Sequence, residues 1–274
     1  MKIPLYAESG EIVELPSVSG LLKDEKYMMS NASSDLRKSI FLVLACYSLA
    51  AFLLISNFTG LYEIIWQGLD TRIFRTLNST VTSEGVLTQF WGWTNSKTFD
   101  RATFLVMLGI CVYLFYTSAR KDRIAVTAKI TAITILILIG LLISKKVIGD
   151  FYHPSPGFML TPYNNINDYI SGYGVKTATD NSFPGDHAMT SALFAGGVIL
   201  LFKRPYVAAF SILLMVFVSV PRLAGGGHWF TDVIVGGGAA CLILLPWLAI
   251  SPLVAWMEKL VGWGWSKAPA FIKR

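Results

Sequence analysis

His228 and Asp232 stand four residues apart at the start of a long uncharged run, a spacing that brings both side chains to one face of a helix start. A carboxylate so placed accepts the proton of one imidazole nitrogen and leaves the other as a directed nucleophile or base. An isolated pair of this kind does no more than anchor a helix at an interface, but this pair has company. His187 follows Pro184-Gly185-Asp186 directly ahead of a second apolar run. Glycine lets the backbone approach a ligand closely, and the free amides of a helix N-terminus bind anions. Gly225, Gly226 and Gly227 repeat that arrangement ahead of His228. Lys146 and Arg222 supply fixed positive charge, the arginine with two parallel donors that suit phosphate oxygens. Taken singly, each is an ordinary turn or a basic residue snorkelling at a helix end. Two cations, two histidines and two glycine turns at one depth read instead as a site for phosphoryl transfer.

Bringing these residues together is the task of a very apolar chain. Of its 274 residues 54% are hydrophobic and 15% charged, against about a quarter charged in a soluble domain. That excludes a water-soluble globular protein and makes a lipid bilayer the partner surface. The net charge of +6 goes to the cytoplasmic ends of membrane helices, with no nucleic acid as partner. Cys46, Cys111 and Cys241 all lie in apolar runs and give neither a disulfide framework nor a metal cluster. Uncharged stretches at 39–62, 102–119, 130–144, 188–202, 205–221 and 233–257 predict an all-α fold of six membrane helices. With both termini cytoplasmic, the inside segments hold 15 of the 23 lysines and arginines, which sets the orientation. Lys146, His187, Arg222, His228 and Asp232 then all lie at the outer face. The expected division is a cytoplasmic N-terminal segment, 1–38, without a signal peptide; a six-helix membrane domain, 39–250; and an interfacial cytoplasmic tail, 251–274. Of the two long outer segments, 63–101 reads as an interfacial helix with an aromatic belt or as an ordinary loop, and 149–186 as a loop rich in turn residues.

The same residues resemble the signatures of the type 2 phosphatidic acid phosphatase (PAP2) family. These are a lysine, six residues and Arg-Pro; then Pro-Ser-Gly-His; then Ser-Arg, five residues, His, three residues and Asp. Here they stand as Lys146 with His153-Pro154, as Pro184-Gly185-Asp186-His187, and as Pro221-Arg222 with His228 and Asp232. His153 replaces the family's arginine, and Gly185-Asp186 replaces its Ser-Gly. Asp186 beside a bound phosphate must be protonated, pair with a cation such as Arg222, or contact a second group. The strings from Ser182 to Ala188, from Pro221 to Gly236 and from Thr94 to Asp100 are similar to the lipid A 1-diphosphate synthase branch.

The resemblance implies a six-helix bundle of the bacterial inner membrane with its active site facing the periplasm. It implies attack by His228 on a terminal phosphorus, Asp232 orienting the ring, and His187 protonating the leaving oxygen. Lys146, Arg222 and the Gly185 amide would hold the phosphate, with His153 and Asp186 nearby. The substrates so implied are undecaprenyl pyrophosphate, hydrolysed or used to phosphorylate lipid A, or another lipid phosphate such as phosphatidic acid, phosphatidylglycerol phosphate or lipid A. No metal or other cofactor is expected, since no carboxylate cluster suited to metal-dependent phosphoryl transfer is visible.

Overall fold

The computed structural model describes residues 5–6, 12–13, 18–83, 85–149 and 151–267, with side chains from Arg37 onward except at 84 and 150. Two compact units divide the chain, Met1–Ala45 and Cys46–Arg274. The first contains a minimal antiparallel ladder, β1 (Leu5–Tyr6) against β2 (Ile12–Val13), and the start of a long helix α1 (Val18–Phe58).

Everything that positions the site lies in the second unit. After α1 come α2 (Leu61–Ile65), α3 (Gln67–Asn78) and α4 (Val86–Thr94), so the 63–101 segment is helical. The helices α5 (Lys97–Tyr116) and α6 (Arg123–Ile143) follow, and α6 runs on into a wider π turn at Ser144–Ile148. Two four-residue helices, α7 (Pro156–Met159) and α8 (Ile166–Tyr169), are embedded in the 149–185 loop. The chain continues through α9 (Asp186–Phe202), α10 (Pro205–Ala224), a π turn at Asp232–Gly237, α11 (Gly238–Leu244), α12 (Pro246–Ile250) and α13 (Leu253–Lys267).

Among the described residues, five helical stretches are long and apolar enough to cross a membrane: Arg37–Phe58, Lys97–Tyr116, Arg120–Ile148, Pro205–Ala224 and Asp232–Ile250. The protein is therefore a multi-pass membrane protein. Of the six expected spans, the fourth is the exception. Helix α9 has 17 residues and, at 1.5 Å per residue, reaches about 26 Å where a hydrocarbon core measures about 30 Å. It is well buried in the bundle, with Met189, Leu193, Phe194 and Val198 in the core beside Ile133 and Leu136 of α6 and Leu214 and Val218 of α10. Small residues permit that approach. A Cβ on Gly197 would come within 2.6 Å of Ile133, and one on Gly196 within 2.3 Å of Leu245. The second span begins earlier than the uncharged run suggests. Ser96 caps α5 by accepting from the Phe99 amide, which draws Lys97, Asp100 and Arg101 into the helix. The last uncharged run does not form one helix to Met257, because Ser251 and Pro252 break it after α12.

Candidate active site

His228 lies in a bend just before the last membrane helix, and its contact with Asp232 arises differently from the helix-face pairing expected. Asp232 reaches back to accept from the Trp229 amide at 2.8 Å, as a residue in the first turn of a helix does when it caps the turn before it. That puts its Oδ2 at 3.3 Å from His228 Nδ1. The Ser182 carbonyl lies closer still to Nδ1, at 2.8 Å. A carbonyl only accepts, so Nδ1 carries the proton and Nε2 carries the lone pair. Asp232 is fully buried, and its chain neighbour Trp229 is tied down by Nε1 donating to the Pro154 carbonyl at 2.7 Å.

Ser182, which the three signatures leave out although it opens the Ser182–Ala188 string, is the hub of this side. Its carbonyl also accepts from the Gly185 amide at 3.1 Å, its amide donates to the His153 carbonyl at 2.8 Å, and its Oγ stands 3.1 Å from His153 Nδ1. Two expectations change accordingly. The Gly185 amide is spent on Ser182, so it is not free for a phosphate. Gly185 serves the site through its left-handed backbone, φ 74°, and through a missing side chain, so that no cap covers the start of α9. The amides of Asp186, His187 and Ala188, which no helical carbonyl precedes, are the ones left without an intrahelical acceptor. His153, expected at the phosphate, faces Asp232 Oδ1 at 3.5 Å instead, its ring packed against Phe58 and Phe183. It buttresses the carboxylate from the far side.

His187 opens α9 with its ring 42% exposed, and Nε2 lies 3.2 Å from Asp100 Oδ1. The same carboxylate oxygen accepts from Arg222 Nη2, while Arg222 Nη1 donates to Asn95 Oδ1 at 2.9 Å. Asn95 in turn donates to the carbonyls of Trp91 and Pro221, fixing α4 to the end of α10. Arg222 does not pair with Asp186. Ser144 Oγ donates to Asp186, which resolves the question of its partner. Asp100 and Asn95 thus join the site as groups whose positions the motifs do not mark, although both fall in the Thr94–Asp100 string.

His187, His228, Asp186 and Gly185 border one cavity of about 300 Å³, with Ser182, Lys145 and Lys176 also in its walls. The lysine there is Lys145. Lys146, the residue at motif spacing, is exposed and does not line it, because the wider π turn at Ser144–Ile148 rotates the two lysines relative to a regular helix. A second cavity of about 280 Å³ starts at Asp100, Lys145, Asp186 and His187 and descends past Phe104, Met107 and Leu141 between α5 and α6.

A buried carboxylate braces the His228 turn from outside the cavity. Asp70 on α3 accepts from the Thr231 amide at 2.9 Å, from Thr231 Oγ1 at 2.7 Å and from the Tyr62 hydroxyl at 3.0 Å. Burial raises its pKa above the ordinary carboxylate value even though these hydrogen bonds pull it down, and nearby Asp232 adds to the rise. Burial, with the Asp70 charge next, pushes the Tyr62 phenol upward in the same way.

Residues 128–255, which hold every motif residue of the site, match the PAP2 superfamily. Over this segment the chain is of PAP2 superfamily type. It is an enzyme of PAP2 type, a membrane lipid phosphatase or phosphotransferase. Lipid A 1-diphosphate synthase of Escherichia coli (strain K12) is 29% identical to it over 190 residues, 69% of this chain and 78% of that protein. Among solved structures, a transmembrane PAP2 type phosphatidylglycerolphosphate phosphatase from Bacillus subtilis covers 84% of this chain and 99% of its own, at 17% identity and a TM-score of 0.45.

Proposed function

We propose that this PAP2 enzyme removes the terminal phosphate of undecaprenyl pyrophosphate through a phosphohistidine on His228. It then releases that phosphate to water or passes it to the 1-phosphate of lipid A. The observation that carries the reading is the Ser182 carbonyl on His228 Nδ1, which leaves the Nε2 lone pair for attack on phosphorus. In the first half-reaction the Nε2–P bond forms and the bond from phosphorus to the bridging oxygen breaks, with His187 giving its proton to that oxygen. Asp232 stabilises the positive charge that His228 acquires. The first amides of α9 and the Arg222 guanidinium meet the phosphoryl oxygens, the arginine exchanging Asp100 for phosphate. In the second half-reaction His187 takes a proton from the acceptor, which attacks the phosphohistidine.

The groove past Phe104 and Met107 suits a hydrocarbon tail beside a headgroup at His187. By charge bias and family resemblance the site faces the periplasm from the bacterial inner membrane, with both termini cytoplasmic. Transfer to lipid A is favoured by the E. coli relative, whose name is that of a synthase forming the 1-diphosphate. Hydrolysis of phosphatidic acid, phosphatidylglycerol phosphate or lipid A is the second reading, since the same histidine chemistry serves any lipid phosphate.

The test is to incubate the purified protein in detergent with undecaprenyl pyrophosphate, with and without lipid A. Free phosphate and the phosphate content of lipid A are both measured. Phosphate gained by lipid A supports the transferase, and free phosphate alone makes the enzyme a carrier-lipid phosphatase. No turnover of the pyrophosphate, with hydrolysis of phosphatidic acid, selects the second reading.

A further inference from the structure

Two lysines face the cavity of His187 and His228 from different walls, and neither occupies the motif position. Lys145 projects from the π turn after α6, and Lys176 from an extended stretch of the 149–185 loop. Val175 and Thr177 are 5% and 6% exposed while Lys176 between them is exposed, the alternation of an extended strand with one face pressed inward. The stretch is pinned. Asn167 holds Val175 by both backbone groups, accepting from its amide at 3.2 Å and donating to its carbonyl at 2.8 Å. Behind it, the Thr177 and Lys176 carbonyls lie so near three glycines that added Cβ atoms would stand 2.0 Å from Thr177 O at Gly157, 3.1 Å from it at Gly226 and 2.7 Å from Lys176 O at Gly227. Lys176 is thus mounted on the turn that carries His228, with only its side chain free to adjust.

The charges around the cavity are otherwise committed. Arg222 is held by Asp100 and Asn95, and Asp186 accepts from Ser144. Among the described residues, neither Lys145 nor Lys176 has an ion-pair partner. One attacked phosphate is served by the α9 amides and by Arg222. Two further ammonium groups from two different segments lining one cavity exceed what a monophosphate needs, and they match a second phosphate on the leaving side.

We propose that Lys176, together with Lys145, binds the second phosphate of a diphosphate ester and selects lipid diphosphates over lipid monophosphates. This rests on His228 as the nucleophile. When Nε2 bonds to the terminal phosphorus, the departing group is a lipid monophosphate. Its bridging oxygen takes the proton of His187, and its remaining negative charge is neutralised by the two lysines.

The test compares farnesyl diphosphate with farnesyl monophosphate, which share one tail, on the full-length enzyme in detergent. Wild type should prefer the diphosphate. K176M should lower the ratio of the two kcat/KM values about tenfold to a hundredfold, the worth of one charge-assisted hydrogen bond. K176R, which keeps the charge, should retain most of the preference, as a merely structural role for the side chain would not require. An equal loss on both substrates, or an unchanged ratio in K176M, overturns the proposal and leaves the nucleophile reading intact. Failure of wild type on both farnesyl esters and on undecaprenyl pyrophosphate overturns the proposed function itself.

Discussion

His228 is held between a backbone carbonyl and a carboxylate that is itself fully buried, whereas His187 leaves its ring 42% exposed and is held by Asp100, a side chain 34% exposed. The difference fits the work proposed for each ring. A nucleophile must present one tautomer along one line before substrate arrives, and buried acceptors at Nδ1 achieve this with little reorganisation. The acid must serve the leaving oxygen first and an incoming acceptor second, so its restraint must be one that water and substrate can replace. Exposed ion pairs contribute about 0–1 kcal/mol, which lets Asp100 yield. Arg222 lies between these extremes, its side chain only 9% exposed yet paired to the same part-exposed carboxylate.

The contrast is broken most completely at the rings themselves. H228A should lose turnover altogether. H187A should fall by about a hundredfold to ten-thousandfold, the usual share of a general acid, while still accepting phosphate from a substrate with a good leaving group. D232N, measured by steady-state kinetics, should cost about a thousandfold or more, because it removes the charge that steadies the phosphorylating imidazole while Ser182 still holds the tautomer. D100N should act on the more exposed side with a smaller and opposite signature. Freed of its carboxylate, Arg222 should bind inorganic phosphate about tenfold more tightly as an inhibitor, one charge-assisted contact being returned to the anion, and an unchanged inhibition constant would show that Asp100 does not compete with phosphate.

The smallest effect concerns Asp70, the support behind His228. Its pKa is raised in the folded protein, so the folded state binds its proton more tightly than the unfolded chain does. Stability should therefore be highest below the ordinary carboxylate pKa and fall as pH rises from there through the raised value. Thermal unfolding in detergent across that range should show the slope, and D70N should flatten it. A slope that survives D70N would assign it to another group.

Much of this architecture was legible in the sequence, and what was not has physical causes. Apolar runs mark the membrane helices because hydrocarbon tolerates few charges, and the motif histidines stand out because they interrupt those runs. Asp100 escaped that pattern: a charge ahead of an uncharged stretch reads as flank until the Ser96 cap is known to start the helix earlier. Lys145 and Lys146 are adjacent, and a regular helix fixes which of them faces inward, but the π turn at Ser144–Ile148 changes the phase. Ser182 acts mainly through its backbone carbonyl, which every residue possesses, so its side chain gives no signal. His153 sits at a family cation position, yet the ring is too short to pass Ser182 and settles against Asp232.

The most direct test is to trap the intermediate. Undecaprenyl pyrophosphate labelled at the terminal phosphorus is mixed with the enzyme, quenched within a turnover in alkali, and mapped by mass spectrometry. The expected product is an acid-labile, alkali-stable phosphoryl group on His228, accumulating further in H187A and absent in H228A. Label on another residue, or full turnover with no labelled protein in H187A, would contradict it.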